Sequence, residues 1–434
     1  MFPIENSHIS EALHKLGMPD MASATIRQIV ALASELEPVA GEPFVRLELG
    51  NPGIPAEAVG IQAQCEALRA GVANMYPNMA GIPELKKAAT EFVKAFFDVN
   101  IGPKYVIPTV GSMQASFTLQ LLLAQRIKGK DTMLFINPGF PAQRHQAKVL
   151  GIPQESFDIY NYRGKALEVK LEEVLSKGNI TGLLYSNPNN PAWINLTEEE
   201  LEIIGRLATK YDVIVIEDLA YLGMDFRTDF SRPYQPPYIP TVARYTDNYI
   251  MLVSGSKIFS YAGERIATVC MCPATYERTY QALADFYDMP ALGDAYIFGV
   301  LYTASSGASH SAQHALASMM KAAVEGRLPM VEHTREYARR ALRAKQAFTD
   351  NGFHIVYDKD GEETISDGFF FTVGYPGISG EQLQKELLRY GISSIHLHST
   401  GSEQEGVRVT VSMLKDDRLF DMLNERLRLF HEQH

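Results

Sequence analysis

The sequence predicts an α/β protein with a mainly parallel sheet, together with a smaller α+β region. Between about residue 105 and residue 272, short runs rich in β-branched residues alternate with helical stretches, an order typical of parallel α/β sheets. After residue 330 the pattern changes to a long charged helical stretch, isolated apolar strands and two further helices. Because 434 residues suffice for two or three domains, we expect a large domain over 46–325 and a small domain from 1–45 and 326–434.

The strands of the large domain are predicted from its apolar runs. The last two runs are separated by only residues 254–265, which is barely enough for a crossover helix, so the final strand is predicted to be antiparallel. One helix has a clear start, because Thr197 and Glu200 form a capping-box pattern ahead of a periodic apolar face. The predicted strands are VIP (106–108), TMLFI (132–136), GLLYS (182–186), VIVI (213–216), YIMLV (249–253) and IATVCM (266–271).

The small domain is predicted from the region after residue 330. A charged helix over about 331–350 leads to the strand FFFTV (369–373), a helix after Gly380, another strand and a final amphipathic helix. We expect the N-terminal helices to join this module. The Pro- and Tyr-rich stretch RPYQPPYIP (232–240) is predicted to be an exposed insertion loop.

The composition excludes several partners and compartments. Forty Lys and Arg against 51 Asp and Glu give a net charge of −11, which argues against nucleic acid or an anionic membrane as a partner. No window approaches 18 consecutive apolar residues, and the N-terminus does not read as a signal peptide. Three scattered cysteines do not form a disulfide scaffold. We therefore expect a cytoplasmic protein.

The histidines do not predict a metal site. His396 and His398 would share a strand face, but no third ligand with suitable spacing accompanies them. His310 and His314 are four residues apart on a predicted helix, but the Glu of a metalloprotease motif is missing between them. A surface or core role is therefore predicted for these side chains.

Polar residues follow three of the predicted strands. Asn190 follows GLLYS, Asp218 follows VIVI, and Ser254, Ser256 and Lys257 follow YIMLV. The carboxyl ends of strands in such sheets are where ligands bind. The turns GSMQA (111–115) and Ser-Gly-Ser-Lys (254–257), with Arg265 eight residues on, suit one dianionic phosphate. The nucleotide-binding loops G-x-x-x-x-G-K-[ST] and G-x-G-x-x-G are absent.

Taken in order, these motifs resemble the class I/II pyridoxal-phosphate-dependent aminotransferases of fold type I, the aspartate aminotransferase-like family. The resemblance opens with LELGNPGIP (47–55), continues through YPNMAGIPELKKA (76–88) and closes with GVRVTVS (406–412). It implies a seven-stranded, mainly parallel sheet in the large domain. It also implies pyridoxal 5'-phosphate (PLP) as cofactor, amino acid and 2-oxo acid substrates, and a homodimer.

The resemblance further implies roles for individual residues. Lys257 would hold the cofactor as a Schiff base and move the substrate's proton, Asp218 would pair with the pyridine nitrogen, and Asn190 and Tyr221 would hydrogen-bond the phenolic oxygen. The remaining cofactor contacts would be Ser112, Met113, Gln114, Ser254, Ser256 and Arg265 around the phosphate, with Tyr76 from the neighbouring subunit, and Phe140 on the ring face. The substrate would contact Gly50, Asn190, Trp193 and Arg408, the last of which would bind its carboxylate bidentately.

Each of these residues also has a structural explanation. Lys257 could be a solvated loop residue, Asp218 a helix cap, Arg408 a surface ion-pair partner and Phe140 a core residue. Trp193 departs from the family, which usually has Gly after Asn-Pro-Thr, and its ring could narrow the pocket or cover it as a lid.

The predicted function is transfer of an amino group from an amino acid to a 2-oxo acid. A carbon–sulfur β-lyase, or a decarboxylase, on the same fold is the alternative. A non-catalytic ligand-sensing domain is a further alternative, and we expect no DNA-binding domain ahead of the motifs because they begin at Gly50.

Overall fold

The computed structural model describes residues 2–434, which divide into two units. Unit 1 comprises the chain up to Ile54, Asn189–Ile194 and Arg335–His434, and unit 2 comprises Pro55–Pro188 and Asn195–Thr334. The domain bounds expected from the sequence stay a prediction. Within residues 2–434, no helix has the length and apolar character needed to cross a membrane.

Unit 2 is built on a seven-stranded sheet. Its strands in chain order are β1 (Val106–Thr109), β2 (Thr132–Asn137), β3 (Gln154–Asp158), β4 (Ile180–Ser186), β5 (Ile214–Asp218), β6 (Tyr249–Ser254) and β7 (Ala267–Met271). The spatial order is β1-β7-β6-β5-β4-β2-β3. All pairs are parallel except those that β7 makes with β6 and β1. The predicted mainly parallel sheet and its antiparallel last strand are confirmed.

Helices surround this sheet, and their sequences explain where they begin. Glu198–Lys210 has the predicted capping box, with Thr197 accepting from Glu200 N–H, and its residues Leu201, Ile204 and Leu207 are buried. Each such apolar side chain contributes about 2 kcal/mol on burial. The α-helices are Ala58–Arg69, Pro83–Phe97, Gly111–Gln125, Pro141–Leu150, Lys165–Leu175, Glu198–Lys210, Gly255–Ile258, Pro273–Glu277, Gln281–Tyr287, Leu292–Asp294, Tyr302–Ser305, His310–Val324 and Met330–Thr334, with a π-helix at Ala295–Leu301.

Unit 1 contains a four-stranded antiparallel sheet. Its strands are β8 (His354–Ile355), β9 (Phe370–Gly374), β10 (Ile395–His396) and β11 (Val407–Thr410), in the order β10-β11-β9-β8. Two short ladders accompany it: Val45–Arg46 pairs with Ile392–Ser393, and Lys359–Asp360 with Glu363–Thr364. The α-helices are Asn6–Lys15, Ile26–Ala40, Glu336–Asp350, Gly380–Arg389 and Asp417–His431. Side chains of the first two helices, among them Ile9 and Leu32, form a buried cluster with Leu388 and Ile395.

Two local predictions can be compared with the structure. The helix predicted over about 331–350 is present as two helices, Met330–Thr334 and Glu336–Asp350, with Arg335 between them. Within the first of these, Thr334 Oγ1 donates to the carbonyls of Met330 and Val331. The insertion loop is largely exposed, although Ile239 within it is buried.

Candidate active site

The register of the unit 2 sheet brings four polar strand ends to one edge. Asp218, the last residue of β5, lies opposite Ser186, the last residue of β4. Ser254 at the end of β6 and Thr109 at the end of β1 both lie opposite Ala267 of β7. The segments that follow β1, β4, β5 and β6 therefore all leave the sheet at its carboxyl edge, where open α/β sheets bind ligands.

Asp218 is a buried carboxylate with one oxygen in use. Its Oδ2 accepts a 2.7 Å hydrogen bond from Gln143 Nε2, and its Oδ1 is buried with no hydrogen-bond partner among the described residues. Burial raises the pKa of this carboxyl to about 6, although hydrogen bonding to Gln143 and to the Ala220 backbone opposes the shift. No helix follows Asp218, so the interpretation as a helix cap is wrong. An unused buried oxygen of this kind is satisfied by a cationic N–H donor.

Gln143 was not predicted from the sequence. It lies in the first turn of the helix Pro141–Leu150, which follows β2. Its position in the chain could have indicated it, because a helix that directly follows a parallel strand begins at the ligand-binding edge of the sheet. The hydrogen bond to Asp218 holds this carboxylate in place.

Gly111 and Arg265 lie in close contact beside the start of a helix. Gly111 begins the helix Gly111–Gln125 with φ +70°, and a Cβ at this position would lie 2.5 Å from Arg265 Nη2. Arg265 itself has φ +54° and donates to Ala262 O. The neighbouring Ser112 Oγ is buried with no partner among the described residues. A guanidinium, a helix N-terminus and an unused hydroxyl together suit a phosphate.

Substitution of Gly111 tests this contact. We expect Gly111→Ala to lower affinity for PLP by about tenfold or more, because the new Cβ displaces the Arg265 guanidinium. The left-handed backbone costs alanine about 1 kcal/mol. Gly129→Ala is the matched control, since Gly129 has φ +78° and open space around its Cα. Equilibrium dialysis of both variants measures the difference, and equal affinities would remove Arg265 from the phosphate site.

The other predicted cofactor residues of unit 2 lie on segments at or near this edge. Lys257 is half-buried in the short helix Gly255–Ile258, which follows β6 and is capped by Ser254 Oγ accepting from Ser256 N–H. Phe140 precedes the helix Pro141–Leu150 and is half-buried, so part of its surface is open.

Tyr221, Met113 and Gln114 differ in how accessible their side chains are. Tyr221 is buried, three residues after Asp218. Met113 is partly exposed, whereas Gln114 is bonded to Ser305 Oγ and to the Val110 N–H. These bonds occupy the Gln114 amide, and its predicted cofactor contact stays a prediction.

Tyr76 is the most exposed large hydrophobic side chain among the described residues of unit 2. It is 91% exposed and lies between the short 3₁₀ turn Val72–Asn74 and the helix Pro83–Phe97. An aromatic ring left open to solvent by its own chain is available to a second subunit. Its predicted role across a homodimer interface stays a prediction.

In unit 1 the side chain of Arg408 is almost completely buried, at 2% exposure. It lies on β11, with Nη2 donating to Glu48 O at 2.7 Å and Nη1 lying 3.5 Å from Asn190 Oδ1. Its guanidinium also stacks over the Phe370 ring at 4.8 Å. The interpretation of Arg408 as a surface ion-pair residue is therefore wrong.

The segment that carries Gly50 bends sharply three residues later. A Cβ added at Gly50 would have nothing within 4 Å, so space beside it is open to a ligand. Gly53 is the position that requires glycine, because its φ is +71° and a Cβ would lie 1.9 Å from Ser412 O. This contact was not predicted, since it joins residues that are distant in sequence.

Trp193 is enclosed by unit 1. Its side chain is fully buried, its ring packs edge-on against Phe370, and a Cβ at Gly368 would lie 2.1 Å from it. The residue has φ +65°, a conformation that glycine adopts without strain. Both interpretations of this ring, as narrowing the pocket or as covering it, stay predictions. Contact between Trp193 and a substrate stays a prediction.

The features of unit 2 fit a phosphate ester with a basic ring nitrogen. Asp218 Oδ1 is an unused buried acceptor, Ser112 Oγ is an unused buried hydroxyl, and the absent Cβ of Gly111 leaves room for Arg265. An amine, Lys257, and a partly open aromatic ring, Phe140, lie on neighbouring segments. PLP has the matching phosphate, pyridine nitrogen and aldehyde.

Comparison with known proteins agrees with this chemistry. The sequence profile of the family "Aminotransferase class I and II" matches residues 46–425. The chain therefore belongs to the class I and II aminotransferase family. Members of this family use PLP.

Individual relatives are more distant. The chain is 27% identical over 229 residues to asparagine–oxo-acid transaminase of Streptococcus mutans, covering 52% of this chain and 56% of the relative. It is 24% identical over 355 residues to LL-diaminopimelate aminotransferase of Natranaerobius thermophilus, covering 80% and 82%. The chain spans about half the length of the first curated relatives it matches.

Solved structures share the fold. A double mutant of Thermus thermophilus aspartate aminotransferase is 19% identical, with a TM-score of 0.76 over 94% of this chain and 97% of that chain. An aminotransferase from Mycobacterium tuberculosis is 16% identical, with a TM-score of 0.75 over 95% and 98%. At these identities the similarity establishes the fold, and it confirms the predicted fold-type I architecture.

Proposed function

We propose that this protein is a PLP-dependent aminotransferase that transfers the amino group of an amino acid to a 2-oxo acid. The observation that carries the proposal is the carboxyl edge of the unit 2 sheet. There Asp218 is a buried carboxylate with an unused oxygen, and Gly111 lies against Arg265. Both features lie on segments adjoining the one that carries Lys257. The family match supports the same chemistry.

In this proposal Lys257 has two tasks. Its Nζ would hold the cofactor covalently, and its free amine would take the proton from the substrate Cα. PLP, when bound, supplies an electron sink for the negative charge that develops at this carbon. The half-buried position of Lys257 limits its contact with water.

The remaining unit 2 residues bind and tune the cofactor. Asp218 keeps a proton on the ring nitrogen, because its buried carboxylate gains a cationic partner there. Phe140 would stack on the ring, and Tyr221 would bind the phenolic oxygen. The family resemblance also assigns Asn190 to the cofactor. The phosphate is held by Ser112, the Met113 N–H, Gln114, Ser254, Ser256 and Arg265, with Tyr76 of a second subunit.

Arg408 is the proposed partner of the substrate carboxylate, and Gly50 contacts the same group. Two nitrogens of Arg408, Nη2 and Nη1, are already oriented by Glu48 O and Asn190 Oδ1. A planar guanidinium held in one orientation can bind a carboxylate through two N–H groups, which an ammonium cannot reproduce.

Arg408→Lys tests this role. We expect KM for amino donors to rise about tenfold or more with a smaller fall in kcat, because substrate binding loses one charge-assisted hydrogen bond of about 2 kcal/mol. Arg426→Lys is the matched control, since Arg426 is also buried in unit 1 and bonds only to Gly391 O, Pro43 O and Glu42 among its described contacts. An unchanged KM in Arg408→Lys would take Arg408 out of the substrate site.

The choice of substrate and of reaction is tested by product analysis. Purified protein is incubated with PLP, single amino acids and a 2-oxo acid, and each new amino acid and oxo acid is quantified. Formation of both in equal amounts supports transamination. Pyruvate and ammonia formed without an acceptor would instead identify the carbon–sulfur lyase, and carbon dioxide would identify a decarboxylase. No turnover despite bound PLP would favour the ligand-sensing domain.

Two further statements belong to the proposal. A homodimer is proposed because Tyr76 is exposed on its own chain and the family resemblance assigns it to the neighbouring site. A cytoplasmic location is proposed from the sequence, and Cys65, Cys270 and Cys272 are all free thiols, as a reducing compartment favours.

A further inference from the structure

Two histidines and a glutamate converge in unit 1, on segments that the proposed active site does not use. His396 ends β10, His398 lies in the 3₁₀ turn Leu397–Thr400, and Glu381 lies in the first turn of the helix Gly380–Arg389. One potential ligand atom from each of the three lies within 4.8 Å of the other two. These residues differ from an acidic surface cluster, because two of the three ligands are imidazoles.

His396 is the buried member of this group, at 3% exposure. Its Nε2 lies 2.9 Å from the Ala22 carbonyl oxygen, which fixes the proton on Nε2 in the neutral ring. Its Nδ1 is buried and has no hydrogen-bond partner among the described residues. An imidazole that donates one N–H to a backbone carbonyl and leaves the other nitrogen as a lone pair has the arrangement of a metal ligand.

Glu405 orients the exposed histidine. Its Oε2 accepts a 2.6 Å hydrogen bond from the Gly380 N–H, and its Oε1 lies 3.3 Å from His398 Nε2. A carboxylate fixed by a helix N-terminus and directed at an imidazole is the usual support of a metal-binding histidine. With Nε2 facing Glu405, His398 Nδ1 is free to turn toward a metal.

We propose that Glu381, His396 and His398 bind a divalent first-row transition metal ion, with Zn²⁺ as the representative ion. Two imidazoles and one carboxylate are ligands that suit Zn²⁺, Co²⁺, Ni²⁺ and Cu²⁺. Zn–ligand distances of about 2.0–2.2 Å place tetrahedral ligands about 3.4 Å apart. The 4.8 Å spread therefore has to close by somewhat more than 1 Å, and the exposed Glu381 and His398 side chains can rotate to do so.

The site corrects the sequence prediction that no third ligand accompanies the histidine pair. Glu381 lies fifteen residues before His396, and only the packing of the helix Gly380–Arg389 against β10 and β11 brings it there. The prediction that His398 shares a strand face with His396 is also wrong, because β10 ends at His396.

Metal binding would connect the helix Gly380–Arg389 to the segment after β10. An ion that binds the folded protein and not the unfolded chain stabilises the fold in proportion to the logarithm of its concentration over Kd. We therefore expect Zn²⁺ to raise the thermal unfolding midpoint of the full chain. This effect does not depend on PLP or on turnover.

The experiment is a titration of chelator-treated full-length protein with Zn²⁺ alone, followed by calorimetry, and with Co²⁺, followed by its visible d–d absorption. We expect one ion per chain with micromolar or tighter affinity. Glu381→Gln and His398→Ala should each lower the affinity by tenfold or more, and Glu405→Gln by about 10–100-fold. His14→Gln, an exposed histidine of another unit 1 helix, should bind as wild type, as should Cys65→Ser.

Each outcome decides the proposal. Glu381 and His398 are exposed, so their variants should fold, and circular dichroism checks this. Loss of both the calorimetric signal and the Zn²⁺-dependent rise in unfolding temperature in these two variants supports the site. The proposal would be overturned if wild type does not bind Zn²⁺ at micromolar concentration. It would also be overturned if Glu381→Gln and His398→Ala bind Zn²⁺ as tightly as wild type, or if only Cys65→Ser loses binding.

Discussion

Lys257→Ala is expected to lower amino-group transfer by about 10³-fold or more while the protein stays folded. The side chain is half-buried in a four-residue helix that is capped by Ser254 rather than by the lysine. Truncation therefore removes the amine without removing a structural contact of the cap. The measurement is steady-state turnover with the donor that wild type uses best, together with the thermal unfolding midpoint.

A lysine elsewhere in unit 2 provides the control for Lys257. Lys130 is partly buried, its Nζ donates to Tyr211 O and Asp212 O, and it precedes β2 at the amino edge of the sheet. Lys130→Ala should lose some stability and keep its turnover. Substantial activity in Lys257→Ala would contradict the proposed mechanism.

Asp218→Asn should reduce turnover by about 10²-fold or more, because an amide cannot hold a proton on the cofactor's ring nitrogen. The hydrogen bond from Gln143 to this side chain can still form. Glu217→Gln is the matched control. Glu217 is the preceding residue of β5, and it is buried among Tyr185, Thr241 and Val242. This variant should change stability more than turnover, and wild-type activity in Asp218→Asn would exclude the proposed role.

The raised pKa of Asp218 adds a pH dependence to cofactor binding. With a pKa of about 6 in the protein alone, the carboxyl is protonated below pH 6 and ionised above it. Binding of a cationic ring requires the ionised form, so affinity should fall as the pH drops from 7 to 5, by up to tenfold per unit below pH 6. Pyridoxamine 5'-phosphate is the probe, because it forms no bond with Lys257. The wild-type slope should exceed that of Asp218→Asn, and identical slopes would contradict the assignment.

Much of the fold follows from local sequence patterns. Apolar runs predicted the strands from β1 to β7 apart from β3, and the short connection before β7 predicted its direction. β3, with the sequence QESFD, was missed because its first three residues are not fully buried and carry no apolar run. The interruption at Arg335 was missed because it is a single residue with helical φ and ψ, which apolar periodicity does not show.

The candidate site was only partly accessible from the sequence. Asp218 and Lys257 follow recognisable strands, so topology alone places them at the carboxyl edge. Gln143 and Gly53 are defined by contacts with residues 75 and more than 350 positions away, and no local pattern encodes such contacts. The burial of Trp193 against Gly368 and Phe370 could not be predicted, because it is a property of tertiary packing.

The most direct test of the central claim is the visible spectrum of the purified protein with PLP, recorded while amino acids are added one at a time. We expect a yellow absorption band that is absent in Lys257→Ala. In wild type the band should bleach with particular donors, and the protein should release one 2-oxo acid per site without ammonia. The absence of a band after addition of PLP, or a band unaffected by any amino acid, would contradict the proposed function.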